Sequence, residues 1–578
     1  MQKQIISRER VKDAHLPQDL DPIIKQIYAS RGVKQNEELD NSAATLHSFK
    51  LLKGIEQASD VLVKALESQS KILIVGDFDA DGATSTATLM SGLPMFGFSH
   101  VDYLVPNRFD FGYGLSPALA QEVVKMAPDL LITVDNGISC IAGVDIVKAA
   151  GIKVIVTDHH LPGNELPKAD AIVNPNQVDC DFPSTALAGV GVAFYLLLAL
   201  RSELREKNWF ELNNQTPPNV ASLLDLVALG TVADVVPLDA NNRTLVHQGL
   251  ARIKNGVTRP GIEALIEVSN RNQARLSASD FGFSLAPRLN AAGRLDDMSL
   301  GIACLLSPDI NNARRLAGEL DALNVERREI EQSMQVEAQA VLDKLCKTDE
   351  QVPDAVCLFQ DDWHQGVIGI LAGRLKEKYH RPTIIFACGD SSEGEPEIKG
   401  SCRSIPGLHI RDILESISTA NPGLIPKFGG HAMAAGLSIK QADFEKFEKI
   451  FVKAVSDKLT DDLRESIVLT DGELPGGYFT LDFAQYLKQA GPWGQEFPEP
   501  VFEHVFEIVQ QRIVGEKHLK LVLKHQTGFL IDGIAFNVDI KQWPNANVQN
   551  LKCAFVLDIN EFRGKFTLQL LIRELVAQ

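Results

Sequence analysis

The segment Lys71-Ile-Leu-Ile-Val-Gly-Asp-Phe-Asp-Ala-Asp-Gly82 constrains the fold more than any other stretch. Ile72 to Val75 run without a polar break, as in a strand buried on both faces of a parallel sheet. Gly76 ends the run, and Asp77, Asp79 and Asp81 follow at alternate positions. Gly82 and the small residues Ala83 to Ala87 then open a helix. Three carboxylates at the end of a buried strand repel one another, and a divalent cation relieves that repulsion. The C-terminal edge of an open α/β sheet is also where ligands bind. An EF-hand loop begins with the same spacing of acids, but its twelfth position requires Glu and a helix must precede it. Here that position is Thr88, and a strand precedes the loop. A polar turn without function is the other reading of this stretch taken alone.

The same device recurs. Leu130 to Val134 is a second buried run and leads directly into Asp135-Asn136-Gly137. Lys153 to Val156 leads into Thr157-Asp158-His159-His160, with a helix-length segment from Gly143 to Ala150 between the two runs. A helix over Leu51 to Ser68 precedes the first strand, and Val101 to Val105 is a further strand. Strands that alternate with helices and end in acid or histidine predict a doubly wound α/β domain with a site along one edge. A lone histidine is most often structural, but Asp-His-His after an apolar strand is a ligand candidate, because imidazole and carboxylate bind the same metals. Leu226 to Pro237 is read as a fourth instance, with Asp234 its one charge; a buried lone carboxylate is costly unless paired or metal-bound. The loop after Val105 carries Gly112 and Gly114 around Tyr113, a mark of close backbone approach. Arg108 in that loop either faces a phosphate or is an exposed loop arginine.

With 578 residues the chain exceeds one core and predicts three or four domains. A hydrophobic content of 45% and a charged content of 23% are those of a soluble globular protein. No apolar leader opens the sequence, and the longest uncharged apolar run, Ser184 to Leu200, is short for a bilayer and is read as a buried helix. The eight cysteines form no Cys-x-x-Cys pair, which argues against zinc or disulfide frameworks and fits a reducing cytoplasm. The net charge of −18 does not exclude nucleic acid, because residues 501–578 hold nine Lys/Arg and eight Asp/Glu. An acidic chain binds a polyanion through a local basic groove or bound metal.

The motifs Asp77-Phe-Asp-Ala-Asp-Gly82, Val134-Asp-Asn-Gly137, Asp158-His-His160 and Gly230-Thr-Val-Ala-Asp234 together resemble those of the DHH phosphoesterases. Within that superfamily the chain is similar to the RecJ-type single-stranded-DNA-specific exonucleases. Ala286-Pro-Arg-Leu-Asn-Ala-Ala-Gly-Arg-Leu-Asp-Asp297 resembles a motif of that branch. Trp363-His-Gln-Gly-Val-Ile-Gly-Ile370, Gly400-Ser-Cys-Arg-Ser404 and Phe428-Gly-Gly-His-Ala-Met-Ala-Ala-Gly436 resemble the companion DHHA1 domain. One departure is that some DHH relatives place a ligand histidine where this chain has Val75.

The resemblance implies a phosphodiester hydrolase with two Mn²⁺ or Mg²⁺ ions. Asp79, Asp81, Asp135, His159 and Asp234 are the expected ligands, a carboxylate and imidazole set that suits these ions. His160 is expected to face the scissile phosphate. Asp77 is open between an orienting residue, a general base and a plain helix N-cap. The resemblance also implies a 5′→3′ exonuclease that degrades single-stranded DNA to mononucleotides in recombination and repair. Single-strand-binding protein and a helicase are its implied partners, and a cytoplasmic monomer without membrane contact its implied state.

The expected domains are an N-terminal helical extension (1–48), the DHH domain (49–308), a connector helix (309–346), a second α/β domain of DHHA1 type (347–460) and an OB-type β-barrel (461–578). The connector is too polar for a core helix and is expected to bridge two lobes, leaving a groove. Arg288, Asn290 and Arg294 on the first lobe, and Lys399, Ser401, Arg403 and His431 on the second, are expected phosphate contacts through the resemblance; on the residues alone they are ordinary turn chemistry. In the last domain the runs 519–523, 529–536, 553–557 and 566–572 read as strands, and Lys520, Arg563 and Lys565 are candidate contacts to a single strand. A barrel without ligand is the alternative. Three further classes compete: a DHH hydrolase of small nucleotides, a degenerate family member serving as a scaffold, and a haloacid-dehalogenase-type phosphatase. The barrel and connector argue against the first, the intact ligand loci against the second, and Asp158-His159-His160 against the third.

Overall fold

The structure, a computed structural model, describes residues 3–11, 15–107, 111–349, 353–389 and 396–578. A short strand β1 (Gln4–Ser7) and the helix α1 (Pro22–Ser30) precede the α/β pattern, so the N-terminal extension is mixed rather than purely helical. Then follow α2 (Ile55–Glu67), β2 (Ile72–Val75), α3 (Ala80–Met95), β3 (Val101–Leu104), α4 (Pro117–Met126), β4 (Leu130–Val134), α5 (Ile141–Ala149), β5 (Lys153–Thr157) and β6 (Ala171–Val173). The five strands β2 to β6 are parallel, in the order β3-β2-β4-β5-β6.

Burial on two faces explains why β2 shows no alternation. Ile72 and Ile74 join a core with Leu62 and Leu66 of α2, while Leu73 and Val75 join a second core with Leu119 and Val123 of α4. The chain leaves β2 toward β3 on one side, and β4 enters on the other. The C-terminal ends of β2 and β4 therefore flank the point where winding reverses, the place where such sheets bind ligands.

The apolar run from Ser184 supplies α6 (Gly189–Glu206), whose first half is buried. Among the described residues, no helix is long and apolar enough to cross a membrane. Leu226 to Pro237 departs from the expected repeat. It contributes most of the helix α7 (Leu224–Ala233), and Asp234 is the C-cap of that helix, not the residue after a strand. A short apolar run does not by its period separate a buried strand from a buried helix. Next come α8 (Ala240–Lys254), α9 (Ala286–Leu295) and the long helix α10 (Ile310–Asp349).

The chain divides into two compact units. The first comprises Glu9–Asn324 and Asp482–Pro500, so α10 changes unit along its length. The second comprises Val325–Leu481 and Val501–Gln578, together with the N-terminal strand. Its α/β part has β7 (Val356–Phe359), β8 (Thr383–Cys388), β9 (Glu397–Arg403), β10 (Lys427–Gly430) and β11 (Ala434–Lys440), in the order β10-β11-β9-β8-β7. β7 and β8 are parallel, and the other pairings are antiparallel. β12 (Ile467–Thr470) pairs in parallel with β1. α11 (Leu481–Gln489) follows it. The last strands, β13 (Phe502–Val514), β14 (His518–Lys524), β15 (Leu530–Ala535), β16 (Asn550–Phe562) and β17 (Lys565–Ala577), close into a barrel. β13 is absent from the runs read as strands, because a polar residue, His504, takes one of its buried positions between Phe502 and Phe506.

Candidate metal centre

Each acid reaches the switch point by a local device. Gly76 lets the chain leave β2 against α3, since a Cβ there would stand 2.2 Å from Thr86 Oγ1. Asp79 is the N-cap of α3: its Oδ1 accepts from the Asp81 and Gly82 amides at 2.9 and 3.0 Å. The cap reading considered for Asp77 therefore belongs to Asp79. Asp77 itself is buried ahead of the cap, at 4% exposure.

Asp81, on the first turn of α3, points to the start of α6. Its Oδ2 accepts from Gly189 N at 2.7 Å and its Oδ1 from Val190 N at 3.0 Å, at the positive end of that helix. Asp135 follows β4 in the left-handed region, with φ of 60°. Asn136 fastens the switch point behind it, donating from Nδ2 to Val75 O at 3.1 Å and Val134 O at 2.8 Å. Two glycines leave room for these acids. A Cβ on Gly189 would lie 2.7 Å from Asp135 Cβ, and one on Gly230 of α7 would lie 3.0 Å from Asp81 Oδ1.

The four sequence loci converge. His159 Nε2 stands 3.1 Å from Asp135 Oδ1 and 3.4 Å from Asp234 Oδ2. Three sets each bring their ligand atoms within 4.8 Å of one another: Asp77, Asp79 and Asp135; Asp81, His159 and Asp234; and Asp135, His159 and His160. Asp135 Oδ1 is buried and accepts no hydrogen bond among the described residues, which marks an atom with an unfilled acceptor role. Oxygen donors with imidazole, in overlapping groups, fit hard divalent cations such as Mn²⁺ and Mg²⁺.

The electrostatics point the same way. Burial, followed by the charge of Asp79, pushes Asp81 up to about 7. Burial and the neighbouring carboxylates hold Asp135 and Asp234 well above the usual carboxylate range. A cluster so poor in compensating charge stays ionised at neutral pH only with cations among it.

Asp158 has a different task, which the sequence reading did not assign. Its Oδ2 accepts from Ile138 N at 2.9 Å, and its Oδ1 accepts from the His159 and His160 amides at 2.7 and 3.0 Å. The same Oδ1 lies 2.7 Å from His160 Nδ1. Burial opposes ionisation of both groups, but this contact outweighs it: Asp158 is held below its ordinary value and His160 above. His160 is thus oriented beside the acid cluster, with its protonated form favoured. Tyr113 is a second residue not singled out. Its hydroxyl is 3.2 Å from His160 Nδ1 and donates to Asp135 O at 3.3 Å, and its ring meets His160 edge-on at 5.8 Å. The flanking glycines signalled a tight loop without saying that the aromatic would face the centre.

The expected phosphate contacts divide. Arg108 lies outside the described residues. Arg288 is engaged inside the first unit: its Nε donates to Asp321 at 2.8 Å and its Nη1 to Ser284 O at 2.6 Å. These bonds tie the guanidinium to the fold of that unit. Asn290 Oδ1 accepts from Ala80 N at 2.8 Å and so steadies the acid loop. Arg294 lies half-buried in the last turn of α9.

In the second unit the expected residues do assemble. Lys399, Ser401 and Arg403 alternate along β9 and share one face. Arg403 Nη1 donates to Ser401 Oγ at 3.2 Å, and Lys399 Nζ is 3.4 Å from Gln365 Oε1. Arg403 is opposite Ala434 of β11, so the His431 turn runs beside it. Gly369 makes room there, since a Cβ on it would lie 3.2 Å from Arg403 Nη2.

The barrel candidates do not assemble. Lys520 lies level with Ile534 and Leu571 and is paired with Asp532 at 2.8 Å. Arg563 and Lys565 are at the β16–β17 turn, on the order of 20 Å further along the strand.

A parallel sheet with acids and a His-His pair at its switch point defines the class as DHH-type metal phosphoesterases, and a family model described as the N-terminal domain of the DHH family matches residues 71–231. Models described as the DHHA1 domain and the RecJ OB domain match residues 352–460 and 470–574. The chain is 53% identical over 575 residues to the single-stranded-DNA-specific exonuclease RecJ of Salmonella typhimurium, covering 99% of both chains. It is 32% identical to the Bacillus subtilis protein of that name, over 98% of this chain and 69% of the other. A crystal structure of RecJ with Mn²⁺ from Thermus thermophilus superposes with a TM-score of 0.81 at 30% identity, covering 100% of this chain and 80% of that one. The chain belongs to the RecJ family of single-stranded-DNA-specific exonucleases.

Proposed function

We propose that the cluster at the switch point of the first sheet is the two-cation centre of a phosphodiester hydrolase acting on single-stranded DNA. The observation that carries this is the convergence of Asp77, Asp79, Asp81, Asp135, His159 and Asp234 from four separated segments. The enzyme is a single-stranded-DNA-specific exonuclease, and its cofactor is Mn²⁺ or Mg²⁺. Asp79, Asp81, Asp135, His159 and Asp234 hold the ions, with Asp135 common to two of the converging groups. Bound there, the cations supply Lewis acidity and a water of lowered pKa.

The chain's own groups do the rest. Asp158 aims His160 and favours its protonated form, so a ring N–H donates to an oxygen of the scissile phosphate as charge builds on it. Tyr113 limits how far that ring can rotate. Asp77 orients the cluster from behind the Asp79 cap or accepts the proton of the attacking water. Lys399, Ser401, Arg403 and His431 bind a phosphate of the strand and set its register, with Arg294 a further contact on the first unit. The reaction releases mononucleotides from a free 5′ end, in recombination and repair.

The domain limits we assign are those of the sequence reading, with Asp482–Pro500 transferred to the catalytic unit. A cytoplasmic monomer that meets a single-strand-binding protein and a helicase completes the proposal. The test is a time course with Mn²⁺ on circular, blunt duplex and 5′-tailed DNA. Mononucleotides released from the 5′ tail alone are expected. Degradation of the circle or the blunt duplex, or shortening from the 3′ end alone, contradicts the reading.

A further inference from the structure

Asp234 is held differently from the other acids. Asp77 and Asp135 follow strands locked in the sheet, whereas Asp234 ends a helix, and the chain then turns through Val235 with φ of 61°. A β-branched residue in the left-handed region is strained, and such strain persists only where the surroundings over-determine it. Val235 itself is 62% exposed, and the chain just after it is held by a distant part of the sequence. Leu238 N donates to Gln495 O at 2.9 Å, and Leu238 O accepts from Arg243 Nη1 at 3.0 Å. Arg243 in turn lies over the ring of Phe497, 4.3 Å from its centroid. A Cβ on Gly494 would stand 2.6 Å from Leu238 Cδ1, so the two segments touch at backbone distance.

The segment that makes these contacts is itself anchored. Arg31 Nε donates to Pro498 O at 2.7 Å and Tyr28 Oη to Ala490 O at 2.8 Å. Trp493 stacks on Phe497 with centroids 5.1 Å apart. All these residues belong to the first unit, although Asp482–Pro500 immediately precedes the first barrel strand in sequence.

We infer that the strap Asp482–Pro500 is a positioning element of the metal centre: through Gln495 and Phe497 it fixes the Leu238–Arg243 turn, and through that turn the strained Val235 and the carboxylate of Asp234. The inference rests on Asp234 being a metal ligand. It follows that the catalytic unit is incomplete without sequence drawn from just ahead of the barrel.

The test uses full-length protein and Mn²⁺ titration followed by the electron paramagnetic resonance of the free ion. Phe497→Ala is expected to weaken Mn²⁺ binding about 10-fold, the scale of supports lying behind metal ligands. Phe497→Tyr, which keeps a ring over Arg243, is expected to bind as the unaltered chain does. Leu62→Ala, a cavity in a fully buried part of α2, is expected to lower the melting temperature without changing Mn²⁺ affinity. Phe497→Leu makes the same test if the alanine variant does not fold, with intermediate affinity expected. Unaltered Mn²⁺ affinity in Phe497→Ala and Phe497→Leu, or a loss no larger than that of Leu62→Ala, overturns the strap. Asp234→Asn separates the two readings: if it too binds Mn²⁺ normally, the ligand assignment fails first.

Discussion

The acid cluster of the first sheet and the basic row on β9 solve opposite problems with different amounts of structure. The cluster gathers carboxylates that repel one another, and every one is held by something else: a helix start, a left-handed turn, a glycine that cedes its volume. The row needs less restraint: one glycine, Gly369, makes room for Arg403. Lys399, Ser401 and Arg403 share a face because a strand alternates, and they lie half-buried on it. Like charges concentrated below the surface must be over-determined; mixed donors on the central strand β9 are brought together by the alternation of the strand itself.

Substitutions separate the two regions by size of effect. Asp81→Ala removes an acid that lies at the middle of the cluster and is expected to cost at least about 10²-fold in turnover, the scale of losing a main electrostatic element. Circular dichroism should show the fold retained, and near-normal hydrolysis would contradict the assignment. Gly189→Ala touches no metal, yet its methyl meets Asp135 Cβ at 2.7 Å. A loss of about 10-fold or more in Mn²⁺ affinity is expected from that displacement, measured by titration. Arg403→Ala should leave metal affinity unchanged and raise KM for single-stranded DNA about 10-fold, in line with one charge-assisted hydrogen bond. A fall in metal affinity there would erase the distinction between the two regions.

The smallest effect is on stability against pH. Asp81 is raised from 3.8 to about 7 in the folded, metal-free chain. A folded value above the unfolded one means that the native state keeps a proton the unfolded chain releases. Metal-free protein therefore loses stability as pH rises from about 4 to 7. Mn²⁺ removes that loss, so its stabilising effect on the melting temperature should be larger at pH 8 than at pH 5.5. Asp81→Asn should flatten the difference; an unchanged pH dependence in that variant would sink the explanation.

Much of this was legible in the sequence for identifiable reasons. The uninterrupted runs Ile72 to Val75 and Leu130 to Val134 announce strands covered on both faces, and acids directly after them announce the occupied edge. Asp234 is legible as a candidate ligand, but the sequence places it on the wrong element, because a buried helix and a buried strand are both apolar throughout over ten residues. Asp158 was hidden by its neighbours: a motif shows that Asp-His-His matters but not which side chain turns inward. Arg288 and Lys520 are candidate phosphate and strand contacts in the sequence, and only the fold reveals Asp321 and Asp532 beside them. The strap was not legible at all, since nothing in Gly491-Pro-Trp-Gly494 says which unit its aromatic ring joins.

The measurement closest to the central claim is the number of Mn²⁺ ions bound per chain, by calorimetric titration. Two are expected for the unaltered protein and still two for His160→Ala, whose turnover should nonetheless fall if His160, held by Asp158, donates to the phosphate as proposed. Asp135→Asn, altering the acid shared by two of the converging groups, is expected to bind fewer. One ion in the unaltered protein, or the loss of an ion in His160→Ala, would contradict the account.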